Sequence, residues 1–182
     1  MRRSSVTAAA LAMLFLFAPT AMRAQSPISL GLGGGVALPL SDFNDDVVPG
    51  WRALGTLAIE VPLIPLGLRI DGAYDRFNIE KALIGAAGDA GARRIASFTV
   101  NPTYRLAVPL PLISPYLIGG AGSYNVGCAG NAKCESATSF GWNAGVGLKF
   151  GALALHGFAE ARYHHVNVGG VQYVPVTVGI FF

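Results

Sequence analysis

The sequence predicts an all-β fold: an eight-stranded antiparallel up-and-down transmembrane β-barrel, preceded by a cleavable signal peptide. Three observations lead there. Large apolar residues alternate with small or polar ones at period two over eight segments, and a strand sends successive side chains to opposite faces. The connections between those segments are alternately long and short. The composition is apolar and rich in glycine, with 52% hydrophobic residues, 13% charged residues and 24 glycines in 182 residues, where charged residues usually make up about 25%. High hydrophobicity with little charge excludes a disordered chain, and this much glycine would be costly in a soluble helical domain.

The first element is the signal. Residues 1–24 carry Arg2 and Arg3, an apolar run from Val6 to Ala18, then Pro19 and a short segment ending in Ala24. A positive start, a short apolar core and a small terminal residue match a secretory signal peptide. The run falls short of the ~20 residues of a spanning helix. Cleavage is placed between Ala24 and Gln25, and residues 25–182 form the barrel domain. The formal charge of +3 invites a nucleic-acid partner, but Arg2, Arg3 and Arg23 belong to the signal, and the remainder holds ten basic and ten acidic residues. No nucleic-acid partner is expected.

The eight segments run over 28–38, 52–62, 66–77, 94–107, 115–125, 139–150, 153–165 and 172–182. In the third, Leu66, Leu68, Ile70, Gly72 and Tyr74 share one face, and Gly67, Arg69, Asp71, Ala73 and Asp75 the other. In the sixth, Phe140, Trp142, Ala144, Val146, Leu148 and Phe150 oppose Gly141, Asn143, Gly145, Gly147 and Lys149. Each segment is long enough for a tilted strand to cross a bilayer, ~9–11 residues. Connections at 39–51, 78–93, 126–138 and 166–171 read as long, and those at 62–65, 109–114 and 151–152 as short. That asymmetry is the one expected of an outer-membrane barrel, with both ends on the short-turn, periplasmic side.

A membrane barrel turns its apolar face to lipid and keeps its polar face inside. Glu60, Arg69, Asp71, Asp75, Arg105, Lys149, Glu160 and Arg162 all fall opposite the large apolar residues, among Gly, Ala, Ser and Thr. The aromatics sort into two outward belts. Tyr104, Tyr116, Phe150 and Phe182 are expected near the short-turn side, and Tyr74, Tyr124, Phe140, Trp142 and Tyr163 near the other.

With a signal, eight alternating strands and a last strand ending in Phe, residues 25–182 resemble the small outer-membrane β-barrel family of the OmpA, OmpX and opacity-protein type. The resemblance implies residence in the cell outer membrane, contact with its lipid, and a last strand read by the barrel-assembly machinery. Val174, Val176, Val178, Ile180 and Phe182 match that assembly signal. Pro175 departs from the pattern and removes a ladder hydrogen bond. No peptidoglycan-binding domain follows, so the anchoring role of larger members is not implied.

Eight strands enclose room for side chains or one small ligand. The four inward bases and four inward acids balance. Unpaired buried charges are costly, so the set reads as a luminal plug of ion pairs, rather than as a gated path or a pore with an excess of one sign. Gly31, Gly33, Gly35, Gly141, Gly145 and Gly147 are read as making room for Arg, Lys and Phe. The run 31–35 is no dinucleotide fingerprint, since Val36 replaces the third glycine and no helix follows. No cofactor is expected. His156, Glu160 and His164 share a face, but positions four apart on a strand lie ~13 Å apart, so a metal site is disfavoured. Cys128 and Cys134, the only cysteines, read as a disulfide in the third long loop of an exported chain. Asp42, Asp45 and Asp46 read as a solvated loop rather than a calcium site.

The leading functional reading is a non-enzymatic, monomeric outer-membrane barrel with a structural, adhesive or interaction role through its outer loops, where an extracellular ligand would bind. A small porin or carrier for a small or hydrophobic solute is the alternative. A lipid A-modifying enzyme is the third, weakened because His164, His165, Val166 and Asn167 have no nearby Ser, with Ser123 and Ser139 on other strands. A soluble ligand-binding barrel conflicts with the charged interior.

Overall fold

The computed structural model describes residues 27–41, 43, 47–61, 63–79, 91–108, 110, 112–129, 134–152 and 155–182. The signal segment with Ala24 and Gln25, and Asp42, Asp45 and Asp46, lie outside the described residues.

Eight strands form the barrel: β1 (Ile28–Leu40), β2 (Gly50–Glu60), β3 (Leu66–Asn78), β4 (Ala92–Arg105), β5 (Ile113–Ala129), β6 (Ala137–Ala152), β7 (Leu155–Val166) and β8 (Gln172–Phe181). Each pairs antiparallel with the next, and β8 closes on β1, with Gly33 opposite Gly179 and Val36 opposite Val176. Closure leaves no free edge, the condition for a strand to survive in lipid.

Alternation sorts the side chains as the pattern requires. Leu32, Phe98, Val146 and Val178 are 57–60% exposed on the outside. Arg69, Asp71, Asp75 and Arg162 are at most 1% exposed inside. Burying the ions and exposing the large apolar groups inverts a water-soluble protein. It is the stable arrangement only when the outside solvent is hydrocarbon, so the barrel spans a membrane. Val174, Val176, Val178, Ile180 and Phe182 alternate with the inward Tyr173, Pro175 and Thr177. The β7–β8 ladder breaks at Pro175, running to Ala161 opposite Val176 and resuming at His164 opposite Tyr173. The β4–β5 ladder breaks likewise beside Pro102, between Val100 opposite Ala121 and Thr103 opposite Ile118.

Two connections differ from expectation. β5 and β6 extend further toward the long-loop end than the sequence suggests, so Cys128 lies in β5 and only Cys134 in the loop. The two form a disulfide with Cα atoms 5.7 Å apart. The β7–β8 connection is not long. Gly169 and Gly170 both take positive φ, 65° and 60°, a conformation that other residues resist, and Val166 already pairs with Val171 across the turn.

Candidate functional site

The lumen is built in three levels. At the short-turn end, Glu60 on β2 accepts a hydrogen bond from Arg105 on β4 at 2.7 Å and pairs with Lys149 on β6. These side chains are partly exposed around a small recess lined also by Thr103, Ser114 and Tyr116. The Lys149 ammonium lies 5.3 Å from the centre of the Phe181 ring.

The middle level is a closed ring of alternating charge. Arg69 on β3 donates to Glu160 on β7 at 2.7 Å and to Asp71 at 3.2 Å. Arg162 donates to Asp71 at 2.8 Å and to Glu160 at 2.6 Å. Each ion thus meets two of opposite sign. Neutral donors take the remaining capacity: Asn101 donates to Asp71 at 2.9 Å and Tyr116 to Glu160 at 2.8 Å. Asn143 donates in turn to Asn101 at 2.8 Å. The Phe158 ring supports the Arg69 guanidinium at 5.3 Å. Nearer the long loops, Arg52 donates to both oxygens of Asp75 at 3.1 Å, and Tyr173 to the same carboxylate at 3.2 Å. His164 stacks on Tyr173 at 4.9 Å and shares a 2.9 Å hydrogen bond with Tyr124.

The third level is apolar. Phe43, Val47, Phe77, Ile95, Val126, Val166 and Val171 pack with Tyr124 and Tyr173 into one buried cluster. Phe43 and Val47 come from the β1–β2 connection and enter the cluster at the barrel mouth.

All eight charges singled out in the sequence point inward. Glu60, Arg105 and Lys149 meet at the short-turn end, Arg69, Asp71, Glu160 and Arg162 in the ring, and Asp75 above it. The balance of four against four does not hold, because Arg52 is a ninth member. Its parity matches that of Leu54, Thr56, Ala58 and Glu60, so the alternation contained it; its place at the start of β2 hid it. The buried ions of the two inner groups balance, three bases to three acids. The excess base lies at the short-turn mouth.

Two aromatics correct the expected belts. Tyr116 and Tyr124 point inward, 3% and 0% exposed. Small residues on the opposite face of β5 make the face with these rings read as the lipid-facing one in the sequence. Their hydroxyls decide it, since Glu160 and His164 accept and share hydrogen bonds there. The outward belt at the long-loop end instead includes Trp51, packed on Tyr74 at 5.5 Å, beside Trp142 on Tyr163 at 5.4 Å. The inward glycines seat rings more than cations: a Cβ on Gly147 would overlap Tyr116, one on Gly141 would crowd Tyr124, and one on Gly33 would meet Phe158 and Thr177. His156, Glu160 and His164 do not converge: His156 is exposed at the rim, and the other two are engaged in different levels.

Among solved structures, Neisserial surface protein A superposes with a TM-score of 0.66 at 16% identity, over 86% of this chain and 96% of that one. The Yersinia pestis outer-membrane protein Ail in a phospholipid nanodisc gives 0.52 at 19% identity, over 85% and 99%. A major outer-membrane protein from Thermus thermophilus gives 0.50 at 10% identity, over 85% and 98%. No family model and no curated protein sequence matches the chain. With its closed lumen of paired ions and its lipid-facing exterior, the chain has the fold of the small eight-stranded outer-membrane β-barrels.

Proposed function

We propose that this barrel is not an enzyme, and that it acts in the outer membrane as a structural, adhesive or interaction protein through its long-loop end. The observation that carries the reading is the filled lumen: a ring of ions tied on all sides, capped by an apolar cluster that Phe43 and Val47 join. A solute would have to displace both levels, which argues against the porin alternative. The fold serves an interaction role elsewhere. Ail is the attachment invasion locus protein of Yersinia pestis, and it has been solved with the heparin analogue sucrose octasulfate. In this reading the protein is a monomer, its last strand is handed to the barrel-assembly machinery, and its partner is an extracellular ligand at the loops. The test is conductance of the refolded protein in a planar bilayer. Silence across several salts is expected; sustained, salt-dependent channels would overturn the reading in favour of a pore.

A further inference from the structure

The alternation that sends Asp75, Phe77 and Ile95 into the barrel sends the half-buried Arg76 and Arg94 out of it. The two arginines stand directly opposite each other on β3 and β4, in a row that reads Trp51, Arg76, Arg94 and Gly127 across β2 to β5. Directly opposed residues have Cβ atoms only ~4.5–5.5 Å apart, and like charges placed so destabilise a sheet. Nothing among the described residues relieves this pair. Four of the five described acids, Glu60, Asp71, Asp75 and Glu160, are luminal, and the fifth, Glu135, bridges to neither arginine. Arg76 has no hydrogen bond or ion pair among the described residues. Arg94 makes one, donating from Nε to the carbonyl of Cys128 at 3.2 Å. That bond lays its guanidinium over Gly127, where a Cβ would stand 3.3 Å from Nη2. Arg94 is thus braced with its outer nitrogens open, beside an Arg76 that is free to swing.

Depth identifies what should complete the pair. Trp51 lies beside Arg76, and Tyr74, two residues nearer the barrel centre, packs on Trp51. Such rings mark the membrane–water interface, so the arginines stand at headgroup level. Below them the outer face is shallow: Ala53 opposes Tyr74, Gly55 opposes Gly72, and a Cβ on Gly72 would meet nothing within 4 Å. Phe98, opposite Gly72, walls one side. We infer that Arg76 and Arg94 form a site for the phosphate of an anionic lipid in the leaflet at the long-loop end, whose acyl chain lies down this furrow. Two guanidinium forks suit the oxygens of one phosphate group.

The inference rests on the outer face meeting lipid, and the test separates the two. The refolded protein is equilibrated with an equal mixture of phosphatidic acid and phosphatidylcholine of the same chains, and retained lipid is counted by native mass spectrometry. About thirtyfold preference for phosphatidic acid is expected from two basic residues at an anionic interface, each contributing about fivefold. R76Q/R94Q should bring it near unity, and R93Q, at the neighbouring arginine that stands opposite the inward Phe77, should leave it intact. R76Q alone, expected to lose a severalfold share, serves if the double variant fails to show the boiling-dependent gel shift of a folded barrel. Preference kept by R76Q/R94Q, or lost equally in R93Q, would overturn the site. Displacement of the lipid by millimolar inorganic phosphate would overturn the lipid assignment in favour of a free-anion site. Failure of the wild-type protein to enter bilayers at all would instead remove the membrane-spanning reading.

Discussion

Glu160→Gln is the sharpest perturbation of the luminal ring, because it removes one charge and almost no volume. The wild-type carboxylate accepts from Arg69 at 2.7 Å, Arg162 at 2.6 Å and Tyr116 at 2.8 Å. The amide oxygen can still accept from one or two of these, so the hydrogen-bond loss is partial. The charge loss is complete: Arg69 and Arg162 are left with Asp71 alone, and one buried cation is uncompensated. Removing one partner of a buried pair costs about 3–5 kcal/mol. The double variant E160Q/R162M restores neutrality, leaving Arg69 with Asp71, so its loss should be smaller than the sum of the two single losses. The assay is urea unfolding of protein folded into vesicles, followed by tryptophan fluorescence and by the gel shift on boiling. A loss below about 1 kcal/mol for E160Q, or strictly additive losses in the double variant, would refute the account of the ring as a coupled unit.

Three further substitutions test other parts of the barrel. Val146→Arg places a cation on the lipid face at a residue 57% exposed; it should cost about 2–4 kcal/mol in a bilayer, read by the same unfolding assay, and a near-neutral effect would contradict the assignment of that face to lipid. Gly147→Val drives a branched side chain into the Tyr116 ring and should cost about 1–3 kcal/mol, lowering the temperature at which the gel shift is lost, whereas Gly72→Val, into open space, should leave that temperature nearly unchanged.

The strands were legible because alternation carries one bit per residue, and each strand spends about ten residues repeating it. Arg69, Asp71, Asp75, Glu160 and Arg162 could be assigned to the interior on that bit alone. Their partners could not be named, because register across a barrel depends on the tilt of all eight strands together. Tyr116 and Tyr124 escape that assignment for a related reason: on β5 they share their face with Ile118 and Val126, while Gly119, Ala121, Ser123 and Asn125 occupy the other, so alternation alone turns the bulky face to lipid. What decides between them is a hydroxyl finding Glu160 or His164 from another strand. The turn at Gly169 and Gly170 is legible in the sequence as a Gly-Gly pair between apolar residues, but the length of the other connections on that side masks how short it is.

The charged ring also constrains how the chain can be put together. Arg69 and Asp71 lie 91 positions before Glu160 and Arg162 respectively, so the halves of the ring reach each other only when the sheet rolls up and β8 meets β1. Until that moment four ions have at best a neighbour on their own strand. A chain entering hydrocarbon one hairpin at a time would carry those ions unpaired through the least hospitable solvent in the cell, at a cost that no single strand's apolar face can offset. Curling must therefore accompany or precede entry, with the incipient lumen still wet. The feature that seals the finished barrel thus dictates that the seam between the first and last strands be stitched as the sheet goes into the membrane, not afterwards.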